Sequence, residues 1–292
     1  MKLLRLYESR EISKKKERFD TEAKIIGGIE TYFMPYLDIY YDGKFRNIID
    51  GKEIEDADIY WIPSTVKKGI SMNSGLIYYL GILKKKKIMD PFKYYGILGG
   101  KFQQTLFFNH YGHKTPKTFF FQITQEHKKS YIDIIEKNFT YPFLTKDLYL
   151  EKGKGVILIK DREELINNIN KYTDQGILIQ ECIENTGEYR ILCVGKKIIG
   201  SFKRYNPNHY KNNTYKGTLF EKAELTKETK KEVLKMVARY GIEFAGIDLL
   251  IGKDGELYFL EINSGPLYKR AEEVLEINVV KELLLYLKKG GK

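Results

Sequence analysis

The chain has 292 residues, 42% of them hydrophobic, which is enough for a sizeable core and too long for one small domain, so two or three lobes in one body are expected. Lys and Arg outnumber Asp and Glu by 50 to 39, a formal charge of +11 that fits either an anionic partner or a lysine-rich solvated surface. Two cysteines, Cys182 and Cys193, exclude a disulfide framework, no Cys/His spacing resembles a zinc site, and no uncharged stretch approaches the ~20 residues of a membrane span.

Lys2–Tyr7 reads as a strand, and its charges fall where a signal peptide would be apolar, so a soluble, cytoplasmic protein is expected. Ala57–Pro63 reads as a second strand and Lys87–Met89 as a third, with Asn73–Leu83 as an intervening helix. That rhythm predicts a small α/β lobe with a mostly parallel sheet. Gly96–Gly100 reads as a linker. A helix follows over Lys101–Tyr111, stopped by Gly112 and Pro116. Strands are expected at Gly155–Ile159, Gly176–Gln180, Tyr189–Val194 and Lys197–Lys203. Helices are expected at Arg162–Tyr172 and at Thr226–Tyr240, where Thr226 is the N-cap and Gly241 the stop. A hairpin and then one helix, Ala271 to Lys288, end the chain.

The most informative stretch is Gly246-Ile-Asp248-Leu-Leu-Ile followed, after Gly252-Lys-Asp-Gly255, by Glu256-Leu-Tyr-Phe-Leu-Glu261-Ile-Asn263. Two apolar strands flank a four-residue hairpin loop. Pairing Ile251 with Glu256 sets Asp248 opposite Phe259 and Glu261 diagonally beside it, with Asn263 on the same face. Two carboxylates and an amide on apolar strands suit a hard cation, Mg²⁺ or Mn²⁺, that shares its shell with phosphates. A solvent-facing sheet edge would present the same three residues.

Upstream, Lys146 ends the apolar run Pro142-Phe-Leu-Thr, and Gly153-Lys-Gly155 follows. A lysine and a glycine loop can gather ammonium and backbone N–H groups around phosphates, although a plain β-turn with solvent lysines has the same sequence. No Walker A loop and no dinucleotide fingerprint occur. Ile177–Ile179 is a buried strand that reaches Gln180-Glu181-Cys182-Ile183, where backbone groups suit an adenine edge. Glu188-Tyr-Arg190 and Lys203-Arg204 then bring cations suited to charge on transferring phosphoryl oxygens.

These pieces in this order, from Lys101 to the end, resemble the ATP-grasp superfamily, and RimK-type amino-acid ligases most. The matching run is Lys101 and Thr115-Pro116; Lys146 with Gly153 and Gly155; Gln180-Glu181; Glu188-x-Arg190; Lys203-Arg204; Asn213 with Gly217; and Gly246-x-Asp248 with Glu261-x-Asn263. The resemblance implies an α/β chain of α+β subdomains: a pre-ATP-grasp lobe at 1–98, a small subdomain at 99–182 and a C-terminal subdomain with the metal site at 183–292. It implies ATP with Lys101 and Lys146 on its phosphates, adenine at Gln180, Glu181, Cys182 and Ile183, and ribose at Glu188. It places Lys211 and Asn213 near the nucleotide and Mg²⁺ on Asp248, Glu261 and Asn263. Arg190, Lys203 and Arg204 are the expected catalytic cations. Glu188 stands where the family has Asp, Lys211-Asn-Asn213 where it has Arg-Ser-Asn, and Ser264-Gly-Pro-Leu replaces its usual turn.

The implied reaction is ATP-dependent ligation of a carboxylate to an amine through an acyl phosphate, the acid or amine being an amino acid, a peptide or another small acid. Two other readings compete: a basic nucleic-acid-binding protein, disfavoured because the 23 tyrosines are scattered, and a non-catalytic ATP-binding module. His110 and His113 have helical spacing without a third ligand and are expected to mark a helix end. The sequence leaves homo-oligomerisation open.

Overall fold

The computed structural model describes every residue except 8–12, 36–37, 55–56, 63–69, 90–99, 149, 151–152, 213–216 and 292. Asn213, Pro63 and all of the expected linker but Gly100 therefore lie outside the described residues. Among the described residues no helix is long and apolar enough to cross a membrane.

The chain opens with β1 (Lys2–Tyr7), α1 (Ser13–Ile26) and β2 (Glu30–Pro35), then a small hairpin of β3 (Ile39–Tyr41) and β4 (Phe45–Asn47), then β5 (Ile59–Trp61). Next come α2 (Ile70–Leu76), which runs on as a π-helical stretch over Ile77–Leu83, and β6 (Lys87–Ile88). The order β2-β1-β5-β6 is parallel throughout, as the strand–helix rhythm predicts. A parallel sheet needs both faces covered, and alternation provides for it. Leu4, Leu6 and Tyr60 bury against Leu76 and Leu80 on one side. Leu3, Ile59 and Trp61 bury against Phe19 and Ala23 of α1 on the other. This second core continues into Phe244 and the C-terminal helix through Val279, Val280, Leu283 and Leu287, so the N-terminal lobe shares one core with the end of the chain.

After α3 (Lys101–His110) come β7 (Thr118–Gln122), α4 (Lys128–Asn138), β8 (Phe143–Asp147), β9 (Val156–Ile159), α5 (Arg162–Ile169) and β10 (Gly176–Glu181). The strands pair antiparallel in the order β7-β10-β8-β9. Ile132, Ile135, Leu165 and Ile169 of α4 and α5 cover one face of this sheet, against Phe143, Ile177 and Ile179. The helix expected to reach Tyr172 tightens after Ile169 into a 3-10 turn.

The last unit holds β11 (Asn185–Val194), β12 (Lys197–Tyr205), β13 (Leu219–Lys222), α6 (Lys227–Tyr240), β14 (Phe244–Gly252), β15 (Leu257–Ser264), α7 (Lys269–Leu275) and α8 (Val279–Lys288). Its sheet is antiparallel in the order β13-β12-β11-β14-β15. Helix α6 starts at Thr226, whose hydroxyl accepts from Thr229 N–H, and stops at Gly241 with φ 65°, both as its sequence predicts. The single helix expected over Ala271–Lys288 is in fact two. Glu276 takes a left-handed conformation, φ 56°, and Asn278 caps a new start by accepting from Lys281 N–H. An N-cap needs non-helical backbone, so the two residues together divide the segment.

Candidate active site

One face of the C-terminal sheet is divided. In β11 the odd residues Ile191 and Cys193 face α6, beside Ala245, Ile247 and Leu249 of β14. The even residues face the other way. Leu192, Val194, Phe202 and Phe244 there lie in the core shared with α8 and the N-terminal lobe. Further along the same strands that face becomes charged, with Glu188 opposite Arg204 and Arg190 opposite Asp248. These are buried charges: Glu188 is 5%, Arg190 8% and Asp248 6% exposed.

The charges satisfy one another. Arg190 Nη1 donates to Asp248 Oδ1 at 2.7 Å, Arg204 Nη2 lies 2.9 Å from Asp248 Oδ2, and Arg204 Nε donates to Glu188. Burial alone would push the Asp248 carboxyl up, but Arg190 and Arg204 outweigh it and hold it below the usual carboxylate range. For Glu188 burial prevails over Arg204, and Asp248 adds to it, so its carboxyl is pushed up. Lys203 is not part of this network. It points from the opposite face, as the residue next to Arg204 in an extended strand must, with its ammonium 3.6 Å from Glu221 on β13.

The hairpin register differs from the one expected. Ile251 pairs with Leu257, and a bulge between Asp248 and Leu249 shifts the partner strand by one residue, so Leu249 faces Phe259 while Asp248 faces Glu261 directly. The extra residue is Leu260. A bulge re-aims side chains: Phe259 stays in the α6 core, while Glu261, two residues on, joins Asp248 on the charged face. The sequence carried a signal for it, since Leu257-Tyr-Phe-Leu260 is an unbroken apolar run that cannot alternate. Burial, with Asp248 beside it, raises the Glu261 carboxyl despite opposing Arg190, Lys101 and Lys146. With its amide oriented by its neighbours, Asn263 donates to Glu261 Oε1 at 3.2 Å and accepts from Arg190 Nη1 at 3.0 Å.

Sequence reasoning missed Gln104. Strand β15 is the sheet edge, and its unpaired backbone needs partners. Gln104 on α3, 3% exposed, serves as a substitute strand: Nε2 donates to Ile262 O and Oε1 accepts from Ile262 N–H, each at 2.9 Å. Ile262 lies between Glu261 and Asn263, so this clamp fixes both. Gln104→Leu is expected to cost about 1–3 kcal/mol in urea unfolding by leaving those groups unpaired, and to lower turnover beyond any loss of folded protein.

The small sheet faces this site with the side opposite its α4 and α5 core. Lys146 on β8 aligns with Leu178 on β10, and Leu144 with Gln180. Phe102 of α3 stacks on Phe120 of β7 at 4.2 Å between ring centroids. Burial lowers the Lys146 ammonium to about 8, against the pull of Glu261. Lys101 Nζ donates to Leu150 O at 2.9 Å and Leu148 O at 3.3 Å, gripping the chain that leads into the glycine loop. From the last unit Lys211 Nζ donates to Gly153 O at 2.9 Å, and the Tyr210 hydroxyl to Val156 O at 3.3 Å. The two glycines serve different needs. Gly153 has φ 71°, whereas a Cβ on Gly155 would come within 2.5 Å of Asp147 Cβ and 2.9 Å of Leu150 Cβ.

At the end of β10, Gln180 Nε2 donates to Thr118 Oγ1 at 2.7 Å, and the Glu181 carboxylate accepts from Lys117 N–H at 2.5 Å. Both side chains are thus occupied in fixing the strand end that leads to Cys182 and Ile183. Burial raises the Cys182 thiol. Among the described residues no three His, Cys, Asp or Glu side chains gather as a metal cluster.

A model of the RimK-like ATP-grasp domain matches residues 101–287. The chain belongs to this family. It is 30% identical over 153 residues to a probable alpha-L-glutamate ligase of Pasteurella multocida, covering 51% of this chain and 49% of that protein. It spans about half the length of the curated relatives it matches. The ATP-grasp ligase PsnB, complexed with minimal precursor, Mg and ADP, superposes with TM-score 0.75 at 12% identity over 99% of this chain and 97% of that one. A RiPP-associated ATP-grasp ligase of Chryseobacterium gregarium, in complex with ADP and a leader and core peptide, gives 0.70 at 16% identity, covering 100% and 97%. The fold is that of ATP-grasp ligases from end to end, including the N-terminal lobe that the sequence resemblance left unmatched.

Proposed function

We propose that the chain is an ATP-dependent carboxylate–amine ligase that works through an acyl phosphate. The observation that carries this reading is the charged face where Asp248, Glu261, Arg190 and Arg204 meet, with Lys101 and Lys146 near enough to act on Glu261. With it we propose three units, at 1–98, 99–182 and 183–292, with ATP between the second and third.

The residues fit a magnesium ion. Asp248 and Glu261 sit directly opposite each other in a buried place, burial and Asp248 disfavour the charged form of Glu261, and Asn263 adds an amide oxygen. Asp248, Glu261 and Asn263 would hold Mg²⁺, which when bound neutralises charge on the terminal phosphates. Mn²⁺ has the same ligand preference.

Lys101 and Lys146 are assigned to the phosphates, the loop through Gly153 and Gly155 to covering them, and Gln180, Glu181, Cys182 and Ile183 to the adenine edge. Lys211 acts by tying down the Gly153 carbonyl. Glu188, held by Arg204, is better suited to positioning that arginine than to reaching the ribose. Arg190 and Arg204 each keep N–H donors beyond those given to Asp248 and Glu188 and serve as the charge-stabilising pair; Lys203, on the other face, is dropped from this role. An oxygen of the acid attacks the γ-phosphorus as ADP leaves, and the amine then attacks the acyl carbon as phosphate leaves. The acid and the amine belong to amino acids or peptides.

The products test the reaction. With a working acid and amine, chromatography is expected to show ADP and inorganic phosphate in equal amounts. AMP and pyrophosphate as the main products would overturn the acyl-phosphate route.

A further inference from the structure

The boundary between the N-terminal lobe and the last unit holds a cation with no role so far. Arg5 on β1 pairs with Trp61 on β5, and it shares its face with Leu3, the face turned toward α1 and α8. Its guanidinium carbon lies 3.9 Å from the centroid of Trp61 and 4.9 Å from that of Phe19. Tyr268 is its polar neighbour. Nη1 is buried without a hydrogen-bond partner, and among the described residues no carboxylate pairs with Arg5. Arg18, Arg190 and Arg204, by contrast, are each matched with an acid. A buried, unpaired N–H on a charged group is unfavourable, and such groups persist where something else satisfies them.

Its place suggests what that is. Tyr268 belongs to the segment that leaves β15 just after Asn263. On the same segment Pro266 packs beside Arg190, since a Cβ on Gly246 would meet Arg190 Cζ at 2.6 Å and Pro266 Cβ at 2.7 Å. One short turn therefore runs from the guanidinium of the charged site to that of Arg5. Trp61 is the last residue of β5, so the pair lies toward the carboxyl ends of the parallel strands, where α/β sheets take ligands.

We propose that Arg5 anchors a substrate carboxylate other than the one that is phosphorylated. A planar guanidinium lodged against the tilted pair of Trp61 and Phe19 rings, whose centroids lie 6.0 Å apart at 60°, is held in place for contact with a carboxylate. The ligand class is therefore narrowed: either the acid carries two carboxylates, or the amine is an amino acid that brings its own. This inference rests on the ligase reading and specifies its substrates.

Trp61 is the single tryptophan of the chain, so the proposed contact has a built-in reporter. The full chain, with Mg²⁺ and a non-hydrolysable ATP analogue, is titrated with glutarate, with glycine and with acetamide while Trp61 fluorescence is followed. A saturable change with glutarate assigns the carboxylate to the acid, and one with glycine to the amine; acetamide is expected to give none. Arg5→Met should lose the response, and Arg5→Lys should need at least tenfold more ligand. Both should bind the ATP analogue like the wild type, and Arg5→Met should melt no lower, because it removes an unpaired buried donor. The inference is wrong if wild type gives no saturable change, if Arg5→Met keeps one, or if both variants melt lower, which would mark Arg5 as structural. Failure of the wild type to bind the ATP analogue would bring down the ligase reading, and this inference with it.

Discussion

Glu261→Gln is expected to reduce ADP release about a thousandfold while leaving the melting temperature unchanged or higher, whereas Asp248→Asn loses activity and stability together. Both carboxylates are assigned to the metal, and loss of a ligand that helps neutralise terminal phosphate charge removes several kcal/mol, on the order of a thousandfold in rate. Their folding roles differ. Asp248 is gripped by Arg190 and Arg204, so removing its charge leaves two buried guanidiniums short of an anion. Breaking a buried pair in this way costs about 3–5 kcal/mol. Glu261 is raised by burial and by Asp248. A carboxyl whose folded pKa lies above its unfolded value contributes stability only at low pH, and that contribution is lost as pH rises through the folded value. Gln removes the carboxylate form that burial and Asp248 disfavour. Melting curves at pH 7.5 beside ADP assays at limiting Mg²⁺ separate the two variants. Wild-type turnover in Glu261→Gln would refute the metal assignment, and equal stability of Asp248→Asn would refute the arginine grip.

Much of this site was legible because a strand repeats every two residues. Alternation alone sets Arg190 beside Glu188 on one face, and sets Arg204 apart from Lys203 although the two are adjacent in sequence. Asp248, Glu261 and Asn263 could be gathered from the hairpin pattern, but not in the right register. A bulge is decided by how four consecutive apolar residues share two faces, and periodicity has no term for that. Gln104 was illegible for another reason. Nothing in Lys101–His110 shows which strand edge the helix will meet, and a glutamine in a helix is ordinarily a solvent residue. The two helices at the end illustrate a third limit. Glu-Ile-Asn at 276–278 is apolar enough in pattern to pass as helix, and only the cap geometry of Asn278 shows the break. Arg5 read simply as a charge in a strand until its rings and its missing anion were seen.

The affinity for ATP is expected to fall about tenfold per pH unit above pH 8, while the stability of the nucleotide-free protein rises over the same range. Both trends follow from Lys146, whose ammonium is lowered by burial from 10.5 to about 8. Below about 8 it is charged and ready for phosphate. Above that, each ATP bound must bring a proton with it, because phosphates stabilise only the charged form, so affinity declines with pH. Stability moves the other way. Between about 8 and 10.5 the unfolded chain holds a proton that the folded chain has released, and stability rises wherever the unfolded state binds more protons. The gap of 10.5 minus about 8 corresponds to roughly 3 kcal/mol of desolvation that the folded chain bears at neutral pH. Lys146→Ala should remove that burden and flatten both curves. It should also weaken ATP by about ten- to a hundredfold, the value of a charge-assisted contact, with little effect on AMP. Lys146→Arg, charged throughout this range, should bind ATP with no such pH dependence. Calorimetry from pH 7 to 9.5 decides the matter. Equal losses for ATP and AMP in Lys146→Ala, or a pH dependence that survives in Lys146→Arg, would take Lys146 away from the phosphates.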